Sequence, residues 1–217
     1  MALTARSSAV RTRPLHLVLA SASPRRSALL AALRVPFTVM KSSYHEPDDP
    51  RLSPAALARR HARAKATDVL AHGAQGVVVA ADTIVALGRT TFGKPRSLSH
   101  AVRMLRTLQG RTHRVYTAIA VCDTASRAWR STCVCTRVTM RPLSRAEIIR
   151  YCALINPLDK AGAYAIQDAG SLIIDRIDGC YYNVMGLPIA ALDNLLRGLG
   201  YSLFSPGGSP SRRAARS

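Results

Sequence analysis

The chain has 217 residues, 48% of them hydrophobic, enough for one large domain or two packed lobes with a core of their own, which excludes disorder as the reading of its body. A net charge of +19 points to polyanionic partners (nucleic acid, membrane surface or free nucleotide) without choosing among them. No apolar run approaches the roughly 20 residues of a membrane helix, and five cysteines without a C-x-x-C pair give no structural zinc spacing, so reduced thiols are expected.

Met1–Arg13 is basic and free of acids; it reads as a disordered start, not a targeting leader. Leu17–Ala20 is a short apolar run expected as a buried strand. Ser23 then precedes Pro24, a hydroxyl N-cap before a residue preset for the first helical turn, and Leu29, Leu30 and Leu33 carry the helix to about Arg34. A strand, a tight turn and a helix start point free amide N–H groups at one spot, where an anion is favoured. Ser21, Ser23, Arg25 and Arg26 add hydroxyl and guanidinium donors there. The stretch is either a phosphate cradle or an ordinary capped helix whose two arginines face solvent.

Pro36–Met40 reads as a strand, followed by an acidic loop, SSYHEPDDPRLS, containing Glu46. Ser53–Pro54 repeats the cap device and opens a helix to about His72 with a basic face of Arg59, Arg60, Arg63 and Lys65, which either meets solvent or an anionic substrate. Gly76–Leu87 is apolar and β-branched and reads as a central strand, interrupted by Asp82. A carboxylate there is costly unless paired, hydrogen-bonded or metal-bound, although capping a local turn is the plain alternative. Gly93–Lys94–Pro95 follows a turn. Ser99 is expected to cap a helix ending at Gly110, with strands at Thr112–Val121 and Arg130–Arg141, and SRAE (Ser144–Glu147) is a capping box opening a helix to Leu154. Leu172–Ile177 and Cys180–Val184 read as strands around an Asp178–Gly179 turn, and Pro188 starts a last helix to Leu199. Early alternation of strands and helices with later clustered strands gives an α/β class: a mixed central sheet flanked by helices. The expected division is a disordered start (1–13), one domain (14–201) and a disordered tail (202–217), Gly/Pro/Ser/Arg-rich from Ser205 onward.

Only four of the 31 basic residues are lysines: Lys41, Lys65, Lys94 and Lys160. Where arginine has replaced lysine almost everywhere, a surviving lysine is a candidate for a role needing a compact point charge.

SASPRR after the first strand, AADTIVALGRTTFGKP, LQGRTHRVYTAIAV, and LDKAGAYAIQ followed by IDGCYYNVMGLP together resemble the Maf family of nucleoside triphosphate pyrophosphatases, over about Leu15–Leu199. The resemblance implies a Maf/ITPase-like fold of two lobes with a cleft, a cytoplasmic homodimer, a divalent cation (Mg²⁺ or Mn²⁺), and cleavage of a nucleoside triphosphate to the monophosphate and pyrophosphate. It implies Asp82 as proton acceptor, Glu46 with Asp82 as metal carboxylates, and Ser21, Ser23, Arg25, Arg26 and Lys94 as phosphate ligands. Arg25, Thr83 and Gln167 match positions tied to base choice, and SPRR, ADT and AYAIQ look like the branch acting on dTTP and UTP, not 7-methyl-GTP. An amide such as Gln167 both donates and accepts, matching a pyrimidine dione edge; Thr83 as a plain strand residue and Gln167 as a surface amide are the simpler readings. Against the family pattern, His61 stands where a phosphate-contacting lysine is expected, with Lys65 one turn on, and Ala165 replaces a glycine that would be strained if φ were positive. The alternative function is a nucleic-acid-binding or cell-division module without turnover. The chain lacks an aromatic platform (5% aromatic residues), so nucleic acid is not the expected partner, and without an apolar run of membrane length neither is a membrane.

Overall fold

A computed structural model describes residues 14–204; the expected disordered segments, Met1–Arg13 and Ser205–Ser217, lie outside the described residues. Seven strands form one mixed sheet: β1 (Leu17–Leu19), β2 (Phe37–Val39), β3 (Val77–Leu87), β4 (Thr90–Phe92), β5 (Thr112–Asp123), β6 (Ala128–Met140) and β7 (Ile174–Asp178), in the order β2-β1-β3-β5-β6-β7 with β4 paired to β3. β1 runs parallel to β2 and β3, and the remaining pairs are antiparallel. The helices are α1 (Pro24–Ala32), α2 (Pro54–Ala71), α3 (Leu98–Leu108), α4 (Arg145–Leu154), α5 (Tyr181–Met185) and α6 (Ile189–Arg197). No helix among the described residues is long and apolar enough to cross a membrane.

The period-two alternation of β3 distributes its side chains between three cores. Val77, Val79 and Ala81 pack with Leu29 and Leu30 of α1 and Leu192 and Leu196 of α6. Further along the same face, Val85 joins Val115, Leu105 of α3 and Ile148 and Tyr151 of α4 in a second core. Val78 and Ala80 face α2 through Ala58, Ala62 and Ala66, small residues that let helix and sheet approach closely. β3 therefore spans two lobes, and Asp82–Thr83 lies at their seam. β1 pairs with β3 only as far as Val79 and β4 only from Val85 onward, so between those points one edge of β3 is uncovered. A crevice outside the carboxyl end of a strand is where open α/β sheets bind ligands.

Three sequence expectations change. Cys180–Val184 is not a strand: Gly179 (φ +126°) turns the chain and residues 181–185 wind into α5. Its Asn183, fully buried, donates to Val115 O and Thr136 Oγ1, so tertiary hydrogen bonding overrides the β-propensity of two tyrosines and a valine. The cap of α3 is Ser97, whose hydroxyl accepts from His100 N at 3.1 Å; Ser99 lies inside the helix. The described chain also packs past residue 201: Ser202 and Leu203 are buried, and Leu203 N donates to Asp193 Oδ1 at 2.7 Å.

One buried polar pair ties the lobes' second core to the cleft. His113 Nε2 and the Tyr164 hydroxyl share a 2.7 Å hydrogen bond, and burial pushes His113 down to about 4 and Tyr164 upward. A folded-state value below the ordinary 6.5 means the unfolded chain takes up the proton first as pH falls. Stability is then lost between about pH 6.5 and pH 4, by up to ~3 kcal/mol. His113→Gln is expected to flatten the fall in Tm over that interval; an unchanged slope would show that His113 does not control it.

Candidate active site

The crevice beside β3 is a cleft of about 250 Å³. Every site residue expected from the sequence lines it: Ser21, Ser23, Arg25, Arg26, Glu46, Asp82, Thr83, Lys94 and Gln167. Three of the four lysines, Lys65, Lys94 and Lys160, line it too. Five cations face three carboxylates (Glu46, Asp82, Asp159), leaving an excess suited to an anion.

The β1–α1 turn forms one wall. Ser23 occupies the N-cap of α1 but its hydroxyl makes no cap bond, and Pro24 supplies no N–H. Arg26 is a different kind of residue from Arg25. It is buried, with Nε donating to Gly186 O at 2.8 Å, Nη1 to Ser21 Oγ at 3.1 Å and Nη2 to Thr83 Oγ1 at 3.1 Å. Thr117 donates its hydroxyl proton to Asn183 O at 2.8 Å, so it must accept from Thr83, 3.0 Å away. The chain Arg26, Thr83, Thr117, Asn183 is thus fully oriented, and Thr83 presents an oxygen already committed to Arg26. Gly186 sits at φ +106°, and a Cβ there would stand 3.2 Å from Thr83 Oγ1 and 3.5 Å from Arg26 Nε, so the turn is closed against this cluster only by glycine.

The opposite face of β3 carries the acids. Lys65 Nζ lies 2.6 Å from both Asp82 Oδ1 and Glu46 Oε1, so one ammonium holds two carboxylates together. Burial pushes Glu46 up, but the charge and hydrogen bond of Lys65, aided by Lys94, outweigh it and hold Glu46 below the ordinary carboxylate range. The loop bearing Glu46 is clasped to α2: Asp68 accepts from Ser42 Oγ, Ser43 N and Ser43 Oγ, while Arg60 donates to Asp49 and Pro47 O.

His61 does not take the lysine's place in the cleft. It is buried one turn before Lys65, its Nδ1 bonded to the Tyr44 hydroxyl at 3.1 Å, and burial holds it below the ordinary imidazole range despite the pull of Asp82 and Glu46. It acts as packing behind Tyr44, and Lys65 is the α2 cation that reaches the site. Nor is Ala165 strained: the left-handed residues of that segment are Gly162 (φ 72°), Ala163 (φ 64°) and Asp168 (φ 58°), while Ala165 N and O both bond the Tyr151 hydroxyl. The sequence did not mark Asp159 or Lys65 as site residues, although Lys65 stood out as a rare lysine; Asp159 had no such signal. Gln167 keeps its amide free of hydrogen bonds to the described residues while lining the cleft.

A mixed α/β sheet carries, at the end of a parallel strand, a cation-rich and carboxylate-bearing cleft whose charge suits a small polyanion. A model of the family described as Maf-like protein matches residues 16–199. Curated relatives called dTTP/UTP pyrophosphatase are 44% identical over 181 residues in Gloeobacter violaceus (83% of this chain, 94% of that protein) and 45% over 188 residues in Moorella thermoacetica (87% and 97%). Another of that name, from Desulforamulus reducens, is 42% identical over 187 residues (86% and 98%). The chain belongs to the Maf family. Among solved structures, the Staphylococcus aureus Ham1 protein is similar in fold, with TM-score 0.51, 13% identity, and coverage of 85% of this chain and 99% of that one.

Proposed function

We propose that this protein is a nucleoside triphosphate pyrophosphatase that hydrolyses dTTP and UTP to the monophosphate and pyrophosphate. The observation that carries the reading is the single cleft in which Asp82 and Glu46, bridged by Lys65, face Arg25 and Lys94. Relatives at 42–45% identity bearing the name dTTP/UTP pyrophosphatase support the choice of substrate.

Asp82 is assigned to the attacking water, as the acceptor of its proton. Arg25, Lys94, Ser21 and Ser23 receive the phosphates, and Arg26 positions Ser21 and Thr83 from below. Phosphoryl transfer asks mainly for this kind of positioning and charge stabilisation. Glu46 and Asp82 fit a divalent cation: two carboxylates already converge on one cation, Lys65. Among the described residues no group of three or more His, Cys, Asp or Glu converges, which matches magnesium's habit of taking one or two carboxylates and filling its shell with water and phosphate oxygens. Such an ion, when bound, would neutralise phosphate charge.

Gln167, with its free amide, is assigned to the pyrimidine edge. Gln167→Leu is expected to raise KM for dTTP and UTP by about ten- to a hundredfold, the cost of an unpaired dione edge. Inhibition by pyrophosphate should be unaffected; a parallel loss would move Gln167 to the phosphate site. The reading as a whole is tested by pyrophosphate release from a panel of purine and pyrimidine triphosphates with Mg²⁺ or Mn²⁺. Selective turnover of dTTP and UTP supports it, and turnover of none, with tight salt-sensitive binding of nucleic acid, would replace it. A cytoplasmic homodimer completes the proposal, to be checked by light scattering and cell fractionation.

A further inference from the structure

Asp159 is an oddity in a cleft for phosphates: a carboxylate that repels the substrate, placed among the cations that should attract it. Its Oδ1 accepts from Lys160 Nζ at 2.8 Å, and its Oδ2 and backbone O accept from Arg25 Nη1 and Nη2, each at 3.2 Å. Charge-assisted N–H···O bonds usually span about 2.7–2.9 Å. The Lys160 contact is in that range and is braced by a second bond, from Lys160 Nζ to Asn156 O at 2.8 Å. The two Arg25 contacts are longer, which makes each weaker than the Lys160 bond. The two residues also belong to different lobes: Arg25 to the uncapped start of α1, and Asp159 to the short turns that follow α4. Their pairing spans the cleft.

We infer that Asp159 is an internal stand-in for a substrate phosphate, releasing Arg25 when the anion enters and taking it back when pyrophosphate leaves. Asp159 is thus a positioning residue that acts through Arg25, and the inference rests on the triphosphate reading of the cleft. Lys160 keeps Asp159 in place throughout, and with Arg25 keeps its carboxyl below the usual range against the opposing effect of burial. The arrangement spares an empty cleft the cost of unpaired cations. It also competes with the product, so that pyrophosphate is shed.

The test is calorimetric titration of the full chain with inorganic pyrophosphate at fixed magnesium concentration, which requires no turnover. Asp159→Asn keeps the shape and removes the competing charge. Pyrophosphate should bind about tenfold more tightly, equivalent to ~1.4 kcal/mol. In steady state KM and kcat should fall together, because product release slows. A residue that merely orients Arg25 would give the opposite sign: weaker pyrophosphate binding and a raised KM. In an Arg25→Gln background the gain from Asp159→Asn should shrink to within about twofold. Weaker or unchanged binding in Asp159→Asn, or a full tenfold gain without Arg25, overturns the exchange. Asp159→Ser gives the same reading should the Asn variant not fold, since the side chain is 42% exposed and little packing depends on it. Failure of the wild-type chain to hydrolyse any triphosphate would strike the functional reading and leave this binding comparison intact.

Discussion

Replacing Asp82 by Asn is expected to lower kcat for dTTP and UTP by about three orders of magnitude with KM changed by no more than ~threefold. The amide is isosteric and can still accept from Lys65 Nζ, which retains Glu46 as its anionic partner, so the cleft keeps its shape. What disappears is the acceptor for a water proton at a position only 5% exposed, where bulk solvent cannot substitute. Triphosphate binding depends on Arg25 and Lys94, which the substitution leaves alone. A large rise in KM with little change in kcat would instead make Asp82 a binding residue, and the assignment of the water would have to move.

The second large effect belongs to Lys65. In Lys65→Met, Asp82 and Glu46 lose the ammonium that lies 2.6 Å from each, and two carboxylates are left facing one another across the vacated point. Breaking a buried pair by removing one partner costs about 3–5 kcal/mol. Glu46 is half exposed, so solvent discounts its share, and a loss of ~2–3 kcal/mol is the reasonable expectation, or roughly 5–10 °C in Tm. The pH dependence has a definite sign. In the wild-type chain Glu46 sits below its ordinary value, so its contribution is present above the carboxylate range and is lost as pH falls through the lowered value. The variant lacks that contribution and is relieved when a carboxyl protonates, so the gap between the two proteins should be widest at neutral pH and close on acidification. Adding Mn²⁺ should raise the variant's Tm more than the wild type's, since Glu46 and Asp82 would hold such an ion without competition from the ammonium. A gap that does not vary with pH would mean that Lys65 contributes through its methylene packing alone.

Much of this site is legible in the sequence. Asp82 stood out because an acid in VVVAADTIVAL needs a partner, and the Ser23–Pro24 device located the start of α1 where the structure has it. Residues that depend on depth were harder. His61 and Lys65 are one helical turn apart on the same face of α2, and spacing alone does not say which of them reaches the edge of β3 and which stays behind Tyr44. The length of a lysine, set against a short imidazole, decides it. Cys180–Val184 misled for another reason: Tyr, Tyr and Val favour a strand locally, while in the coiled segment the buried amide of Asn183 donates to the oxygens of Val115 and Thr136. Ser97 and Ser99 are chemically equal as caps, and the choice fell to the backbone. Asp159 lay within LDKAGAYAIQ, but nothing local marked it as a site residue, because its partner Arg25 is 134 positions away and belongs to the other lobe.

The identity of the products is the most direct test of the whole. The purified protein, given dTTP or UTP with Mg²⁺, should release the nucleoside monophosphate and pyrophosphate in equal amounts, as read by phosphorus NMR. Nucleoside diphosphate with inorganic phosphate, or unchanged substrate after prolonged incubation, would contradict it.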